Sequence, residues 1–151
     1  MSTLEPQPNN INADAFKADT LNSSDNYLKN DELLALRVMP MPENLNANGV
    51  IFGGWIMSQV DIAGSIIARD RAKGRVATVS VNSFSFIKSV NAGDLLSFYS
   101  KIIKTGRTSV TVGIQVYVPK NDLKIPEIKI AEAELVYVHL NEHHKPCLLP
   151  S

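Results

Sequence analysis

One long helix, predicted from Gly53 to Lys73, constrains the fold more than any other stretch, because no proline interrupts it and its apolar residues recur every three or four positions. The residues expected to form its buried face are Ile56, Val60, Ala63 and Ile67, with Trp55, Ile62 and Ile66 widening that face. A helix with so broad an apolar face must be covered by other elements of the chain.

Both ends of this helix are marked in the sequence. Three basic residues crowd the last turn, where cations complement the helix dipole, and Gly74 stands just past the expected end. The start carries Gly53 and Gly54 where Ser, Thr or Asp would normally cap the helix. Glycines at a helix start let a ligand approach the free backbone N–H groups closely.

A single carboxylate, Asp61, lies within the apolar part of the helix, where a charge is costly unless it is paired or used. Its helical neighbours three and four positions away are mostly small, and they include Ser58, Gly64 and Ser65. Two interpretations are open. Either the small residues permit close packing of another helix or strand, with Asp61 paired to a buried donor, or they form a trough in which Asp61 acts on a ligand.

Composition narrows the class of protein. A chain of 151 residues is expected to form one folded domain, and its formal net charge of zero argues against nucleic acid as the main partner. The single cysteine, Cys147, excludes an internal disulfide and favours a reducing compartment, so a cytoplasmic location is predicted. We find neither an apolar run of about eighteen residues nor a basic-then-apolar leader, so no membrane span or signal peptide is predicted.

The chain divides into two parts. Residues 1–30 are polar and rich in asparagine, with few large apolar side chains. Such a segment buries too little surface to offset the entropy lost on ordering, so we expect a flexible tail. Residues 31–151 carry the periodic patterns and are predicted to form the folded domain.

Strands are predicted on both sides of the helix. A short apolar run precedes it, and an alternation with a period of two follows it. The five expected strands are 33–39, 76–86, 95–103, 110–118 and 128–140. Connections of hairpin length predict antiparallel pairing. The alternation is imperfect at 131–136, which indicates a bulge or a strand with both faces covered.

These elements predict an α+β fold in which one central helix is wrapped by a curved antiparallel sheet of about five strands. The chain has no G-x-S-x-G, P-loop, G-x-G-x-x-G, H-E-x-x-H or C-x-x-C motif, which disfavours serine-nucleophile, nucleotide-fold and zinc chemistry. Adjacent His143 and His144 have no third ligand nearby in sequence, so no metal site is predicted.

Four segments carry a resemblance to a known family: Asn46-Ala47-Asn48-Gly49, Ile51-Phe52-Gly53-Gly54-Trp55-Ile56-Met57-Ser58-Gln59 with Asp61, Gly74-Arg75-Val76 and Phe86-Ile87-Lys88. They are similar to the hotdog-fold acyl-CoA thioesterases of the bacterial YciA type. The likeness runs from about residue 33 to 138. It implies a hotdog fold, hydrolysis of acyl-CoA, no cofactor beyond the coenzyme A of the substrate, and a homodimer as the active unit in a hexamer built as a trimer of dimers.

The resemblance places Asp61 at the position of the family's catalytic carboxylate. Asp61 is then a general base for water, or a nucleophile that forms a transient anhydride. The N–H groups of Gly53 and Gly54 would donate to the developing oxyanion. Gly54 lies seven positions from Asp61, roughly 10 Å along one helix, which is long for a single thioester to span. We therefore predict that the acid and the glycine turn come from different subunits.

Five residues at or near strand ends are candidates for binding coenzyme A. Lys88, Lys104 and Arg107 would meet its phosphates by charge, although each is equally well explained as a solvated surface cation. Thr108 and Ser109, beside Arg107, are further candidates for hydrogen bonds to the same ligand.

One position departs from the family pattern. Val50 stands where the family usually carries Asp or Asn, and valine cannot hydrogen-bond to water or a carbonyl; Asn48 is the polar group that would take its place. The alternative function is therefore a non-catalytic or weakly active acyl-CoA-binding sensor. A hotdog dehydratase is disfavoured, because it would need a histidine near the helix and the three histidines all follow Val138.

Overall fold

The computed structural model describes residues 28–29, 31–119 and 128–151. Within these ranges the chain forms helix α1 (Gly53–Ala72), a 3-10 turn (Pro42–Asn44) and six strands. In chain order the strands are β1 (Leu28–Lys29), β2 (Glu32–Val38), β3 (Arg75–Phe86), β4 (Leu96–Thr105), β5 (Ser109–Val118) and β6 (Ile128–Leu140). The two residues of β1 fall inside the predicted polar tail, and the rest of that tail lies outside the described residues.

All six strands form one antiparallel sheet in the order β1-β2-β4-β5-β6-β3. The five predicted strands and the central helix are therefore confirmed as a hotdog arrangement, with β1 as a short addition. The chain continues from β3, at one edge, to β4, in the interior of the sheet. Hairpin pairing is thus wrong for that connection.

The connection between β3 and β4 bonds to the loop before α1 instead of forming a hairpin. Ile51 donates its N–H to the carbonyl of Val90 at 2.9 Å, and Gly93 donates to the carbonyl of Pro40 at 2.9 Å. Gly93 adopts a φ of +87°, which favours glycine. The turn at 91–94, closed by a hydrogen bond from the N–H of Asp94 to the carbonyl of Asn91 at 3.2 Å, therefore carries the chain across the sheet and joins no neighbouring strands.

Helix α1 packs on one face of the sheet through a narrow stripe that includes Ile56, Val60 and Ala63, all nearly inaccessible to solvent. Ile62 and Ile66, which we expected to widen the buried face, are 47% and 40% exposed, so that expectation is wrong. A single sheet covers only the near side of a helix, and these two side chains point away from it.

The irregular alternation in the last strand has a local cause. Val116 pairs with Ala131 and Tyr117 pairs with Lys129, so Ile130 is an extra residue without a partner in β5. This bulge lies just before the predicted stretch, and it lets consecutive Ile130 and Ala131 both be buried. The carbonyl of Ile130 then accepts the N–H groups of residues 87 and 88, at 2.8 and 3.2 Å, where β3 ends.

The helix ends one residue earlier than predicted, and the left-handed residue is Lys73, with a φ of 50°, not Gly74. Gly74 packs closely against a side chain of β6, since a Cβ atom there would lie 2.8 Å from Nε2 of His139. The chain terminus also touches this end of the helix, where Arg71 donates to the carbonyl of Pro150 at 2.8 Å. In the described ranges, no helix is long and apolar enough to cross a bilayer.

Candidate active site

Asp61 lies in the middle of α1, half-exposed, and turns its carboxylate toward β3 and β6. Thr78 donates through Oγ1 to Asp61 Oδ1 at 2.6 Å. The hydroxyl of Tyr137 lies 2.9 Å from the backbone carbonyl oxygen of Asp61 and 3.2 Å from Oδ1. No ion pair joins Asp61 to a cation of the described chain, and its Oδ2 receives no hydrogen bond from these residues. One carboxylate oxygen is therefore held and the other is left for water or a ligand.

The sheet brings the two hydroxyl donors together. Thr78 and Tyr137 are direct partners in the ladder between β3 and β6, so their side chains leave the sheet on the same face. The sequence analysis named neither residue, because they lie 17 and 76 positions from Asp61. In sequence, Gly64 indicates only that another group packs closely against the helix at that position; the structure shows that a Cβ atom there would collide with the Tyr137 hydroxyl.

The small residues around Asp61 serve close packing. Gly64 is buried against Tyr137, and Asp61 is paired with a hydroxyl donor from a strand, as the first of the two interpretations expected. Ser58 and Ser65 donate to carbonyls of their own helix, at 2.6 and 2.7 Å, and not to Asp61. Under the second interpretation, in which Asp61 acts on a ligand, the ligand would have to meet Oδ2, the carboxylate oxygen that the described residues leave free.

Tyr137 is a permanent hydrogen-bond donor in this environment. Its side chain is inaccessible to solvent. Burial, followed by the negative charge of Asp61 and the hydrogen bond to it, raises the pKa of Tyr137 far above its ordinary value. The hydroxyl therefore keeps its proton throughout the neutral range.

The helix start is open, as the two glycines predicted. Phe52 occupies the capping position without a side-chain hydrogen bond, and neither Gly53 nor Gly54 donates its N–H to a described residue. Gly54 is exposed, whereas a Cβ atom on Gly53 would come 2.9 Å from the ring of Phe86. A cavity of about 300 Å³ adjoins this point, between Gly53, Phe86 and Lys88. Free N–H groups at the mouth of a mostly apolar cavity suit an anionic or carbonyl oxygen on an apolar ligand.

The loop before the helix is closed by Asn46. Its N–H donates to the carbonyl of Val50 at 2.7 Å, and its Oδ1 accepts the N–H groups of Asn48 and Val50 at 2.8 and 3.3 Å. These donors fix which side of the amide is oxygen. Nδ2 of Asn46 is consequently left without a partner among the residues seen in the structure, while the side chain of Asn48 is exposed.

The five predicted coenzyme A contacts fall at two opposite ends of the sheet. Lys104, Arg107, Thr108 and Ser109 gather at the hairpin between β4 and β5, whereas Lys88 follows the end of β3. Ser109 pairs with Val138 and Phe86 pairs with Ala131, seven residues apart along β6, which corresponds to about 23 Å. One chain does not bring these two groups together.

The histidines lie away from Asp61. His139 Nδ1 is 3.3 Å from the Sγ atom of Cys147 and 2.9 Å from the carbonyl oxygen of Leu148, at the end of β6. His143 and His144 are exposed in the turn that follows. Within the ranges that the structure covers, no three His, Cys, Asp or Glu side chains are grouped to hold a metal ion.

The chain matches known thioesterases over most of its length. The model of the thioesterase superfamily matches residues 48–125. The acyl-CoA thioester hydrolase YciA of Escherichia coli is 43% identical over 119 residues, which are 78% of this chain and 90% of YciA. The crystal structure of a hexameric thioesterase from Yersinia pestis is 45% identical, with a TM-score of 0.75 over 82% of this chain and 99% of that one.

A more distant solved structure is informative about residues. The acyl-CoA hydrolase of Staphylococcus aureus, solved with butyryl-coenzyme A and coenzyme A, is 26% identical, with a TM-score of 0.71 over 77% of this chain and 70% of that one. Alanine variants of that hydrolase replace one asparagine and one aspartate that lie fifteen positions apart. Asn46 and Asp61 have the same separation.

Proposed function

The chain belongs to the thioesterase superfamily and is an acyl-CoA thioesterase of the YciA type, and from this premise we propose how its own residues hydrolyse acyl-CoA to free coenzyme A and a carboxylic acid. The observation that carries the mechanism is the carboxylate of Asp61, with Oδ1 held by two hydroxyls and Oδ2 without a partner among the residues that the structure describes. A positioned carboxylate with one free oxygen suits attack on a thioester.

Asp61 acts at the thioester carbonyl in one of two ways. As a general base, Oδ2 takes a proton from a water that attacks the carbonyl carbon. The carbon–sulfur bond then breaks, and the proton passes to the departing sulfur of coenzyme A. As a nucleophile, Oδ2 attacks that carbon itself, the carbon–sulfur bond breaks and coenzyme A leaves as the thiolate. Water then hydrolyses the anhydride, which restores the carboxylate of Asp61 and supplies the proton that converts the thiolate to the thiol. In both routes the carbonyl oxygen gains negative charge, and the N–H groups of Gly53 and Gly54 are the proposed donors to it.

Asn46 is a further proposed donor in this site. Its Oδ1 is engaged by the turn, so its Nδ2 is the amide group that remains for a substrate oxygen. The asparagine and aspartate replaced in the Staphylococcus aureus hydrolase have the same spacing in sequence. Asn46 is thus a better candidate than Asn48 for the polar group that Val50 does not supply.

The active unit that fits these positions is a homodimer. In one chain, Gly53 lies beside Phe86 at one end of β3, while Asp61 is held by Thr78 toward the other end. Gly53 and Asp61 are eight positions apart on the same helix, about 12 Å along its axis, which is long for one thioester group to span. If a two-fold axis lay beside β3, the β3 strands of the two subunits would run antiparallel. The helix start and Lys88 of one subunit would then approach Asp61 of the other, together with the basic residues Lys104 and Arg107 at its hairpin between β4 and β5.

Exposed apolar surface supports the same arrangement. β3 is an edge strand with unpaired backbone groups, and it carries Val79 and Val81 at 57% and 48% exposure. Ile62 and Ile66 of the helix are exposed as well. We propose that a second copy covers this edge and that three such dimers form a hexamer, since the Yersinia pestis relative is hexameric. A cytoplasmic location stays a prediction from the single cysteine.

Val81→Asp places a charge on the proposed dimer edge while leaving the core intact. We expect the variant to sediment as smaller species. Its rate of acyl-CoA hydrolysis should fall in proportion to the fraction of dissociated subunits, because each site would need both subunits. Met39→Asp is the matched control, because Met39 is also 48% exposed and follows β2, on the other side of the sheet from β3. A fully active monomer of Val81→Asp, or of the wild type at high dilution, would refute shared sites.

The alternative function is an acyl-CoA sensor without turnover, which Val50 favours because it is apolar where the family is usually polar. Release of free coenzyme A from a series of acyl chain lengths, measured with the wild-type chain, separates the two functions. Turnover on at least one chain length is the expected result. Binding of coenzyme A without turnover on any of them would favour the sensor.

A further inference from the structure

We propose that Tyr137 is a positioning residue for Asp61, and that Gly64 is a glycine because the Tyr137 hydroxyl occupies the place of its side chain. This rests on the function proposed above, in which Asp61 carries out the chemistry. Tyr137 does not touch substrate in this proposal. It acts by holding one oxygen of the carboxylate so that the other faces the thioester.

The contacts that the structure gives for the Tyr137 hydroxyl are both to Asp61. Its ring is buried in the core between sheet and helix, and its oxygen is within hydrogen-bond distance of Asp61 at both the backbone carbonyl and Oδ1. A single O–H proton is shared between these two acceptors. Because one belongs to the helix backbone and the other to the side chain, Tyr137 ties the carboxylate to the backbone that carries it.

Thr78 completes the constraint from the neighbouring strand. It donates to the same Oδ1 at 2.6 Å, and it is the direct ladder partner of Tyr137. Two donors on one oxygen, from two paired strands, restrict rotation of the carboxylate. Oδ2 is the oxygen that this arrangement leaves for the thioester, since neither donor bonds to it.

Gly64 explains why the helix can pack so closely against Tyr137 of β6. Glycine inside a helix is unfavourable relative to alanine, so its presence requires a reason. A Cβ atom at Gly64 would collide with the Tyr137 hydroxyl and lie 3.0 Å from Cζ of that ring. Any side chain at this position must displace the hydroxyl from Asp61 or the helix from the sheet.

Tyr137→Phe tests the positioning role, since it removes one oxygen and keeps the ring. We expect kcat for acyl-CoA hydrolysis to fall about tenfold, in line with the loss of one hydrogen bond to a charged group, with KM unchanged. Tyr99→Phe is the matched control: Tyr99 is also buried, but it alternates with the core residue Phe98 and faces the other side of the sheet. An unchanged kcat, or a rise in KM with kcat retained, would overturn the role.

A second comparison asks whether Tyr137 acts through Asp61. In the Asp61→Asn background, Tyr137→Phe is expected to change the residual rate less than twofold, because the group it positions is already gone. A full tenfold fall in that background would show that Tyr137 acts on something else and would overturn the proposal.

A stability cycle is independent of turnover. Urea midpoints of Gly64→Ala, Tyr137→Phe and the double variant are expected to be non-additive, with Gly64→Ala lowering the midpoint less when the hydroxyl is absent. Tyr137→Phe should likewise lower it less in the Asp61→Ala background. Additive midpoints in both pairs would overturn the proposal. If the wild type hydrolyses no acyl-CoA, the proposed function fails, and this cycle still decides whether the three residues are coupled.

Discussion

Asp61→Asn is expected to lower kcat for acyl-CoA hydrolysis by about a thousandfold while leaving the affinity for coenzyme A within about twofold. Asparagine keeps the size of the side chain and an oxygen that can accept from Thr78 and Tyr137, so the helix and the sheet remain in place. What it removes is the negative charge that takes a proton from water or attacks the carbonyl carbon. Initial rates of coenzyme A release and equilibrium binding measure the two effects.

Asp70→Asn is the matched control for this substitution. Asp70 is on the same helix, but its side chain is 78% exposed and pairs with Lys73 at 2.9 Å in the last turn. We expect wild-type turnover from that variant. If Asp61→Asn retained turnover comparable to Asp70→Asn, Asp61 would have no part in the chemistry and the proposed mechanism would be wrong.

Hydrolysis in isotopically labelled water can separate the two roles of Asp61, general base and nucleophile. In water labelled with heavy oxygen, a general base directs the label into the released carboxylic acid. A nucleophile whose anhydride is hydrolysed at the aspartyl carbon directs it into the side chain of Asp61, where the mass of the peptide would reveal it. Single-turnover conditions are needed, because repeated cycles through an anhydride pass the label on to product.

Asn46→Ala is expected to lower kcat about a hundredfold, the loss typical of one donor to an oxyanion. Asn46→Asp refines the test, because aspartate keeps the oxygen that accepts from the N–H groups of Asn48 and Val50 but has no amide donor. The turn should survive in Asn46→Asp while turnover is lost as in Asn46→Ala. Equal thermal stability of wild type and Asn46→Asp would confirm that the loop is intact.

Asn48→Ala separates the two asparagines of the loop. The side chain of Asn48 is exposed, and only its backbone N–H takes part in the turn, so we expect turnover within about twofold of the wild type. A large loss in Asn48→Ala with little loss in Asn46→Ala would reverse the assignment. The polar group compensating for Val50 would then be Asn48, as the sequence pattern first indicated.

Local patterns were sufficient for the elements of the fold. The spacing of Ile56, Val60 and Ala63 predicted the helix, the alternation from Val110 to Val118 predicted a half-buried strand, and both are present. Asp61 stood out because an isolated carboxylate in an apolar helix needs a reason. Each of these inferences uses residues within one or two turns of each other, where the physics is local.

Contacts between residues far apart in sequence could not be predicted from the sequence. Thr78 and Tyr137 reach Asp61 only because β3 pairs with β6, a register that no local spacing encodes. Ile62 and Ile66 were placed in the core because an apolar side chain looks the same in sequence whether it packs on its own sheet or stays exposed on the chain. The sequence of the loop does not distinguish Asn46 from Asn48 for a similar reason, since the hydrogen bonds that occupy Oδ1 of Asn46 are known only from the folded turn.

The distance along the chain between Asp61 and its last hydrogen-bond donor has a consequence for how the enzyme is made. Tyr137 lies 76 positions after Asp61, in β6. The ribosome therefore adds Asp61 to the chain well before it adds the residue that holds the carboxylate. A nascent or truncated chain that lacks β6 carries the reactive group but not the partner that orients it. On the role proposed for Tyr137, the full rate of thioester cleavage is therefore expected only after β6 has been synthesised and has paired with β3.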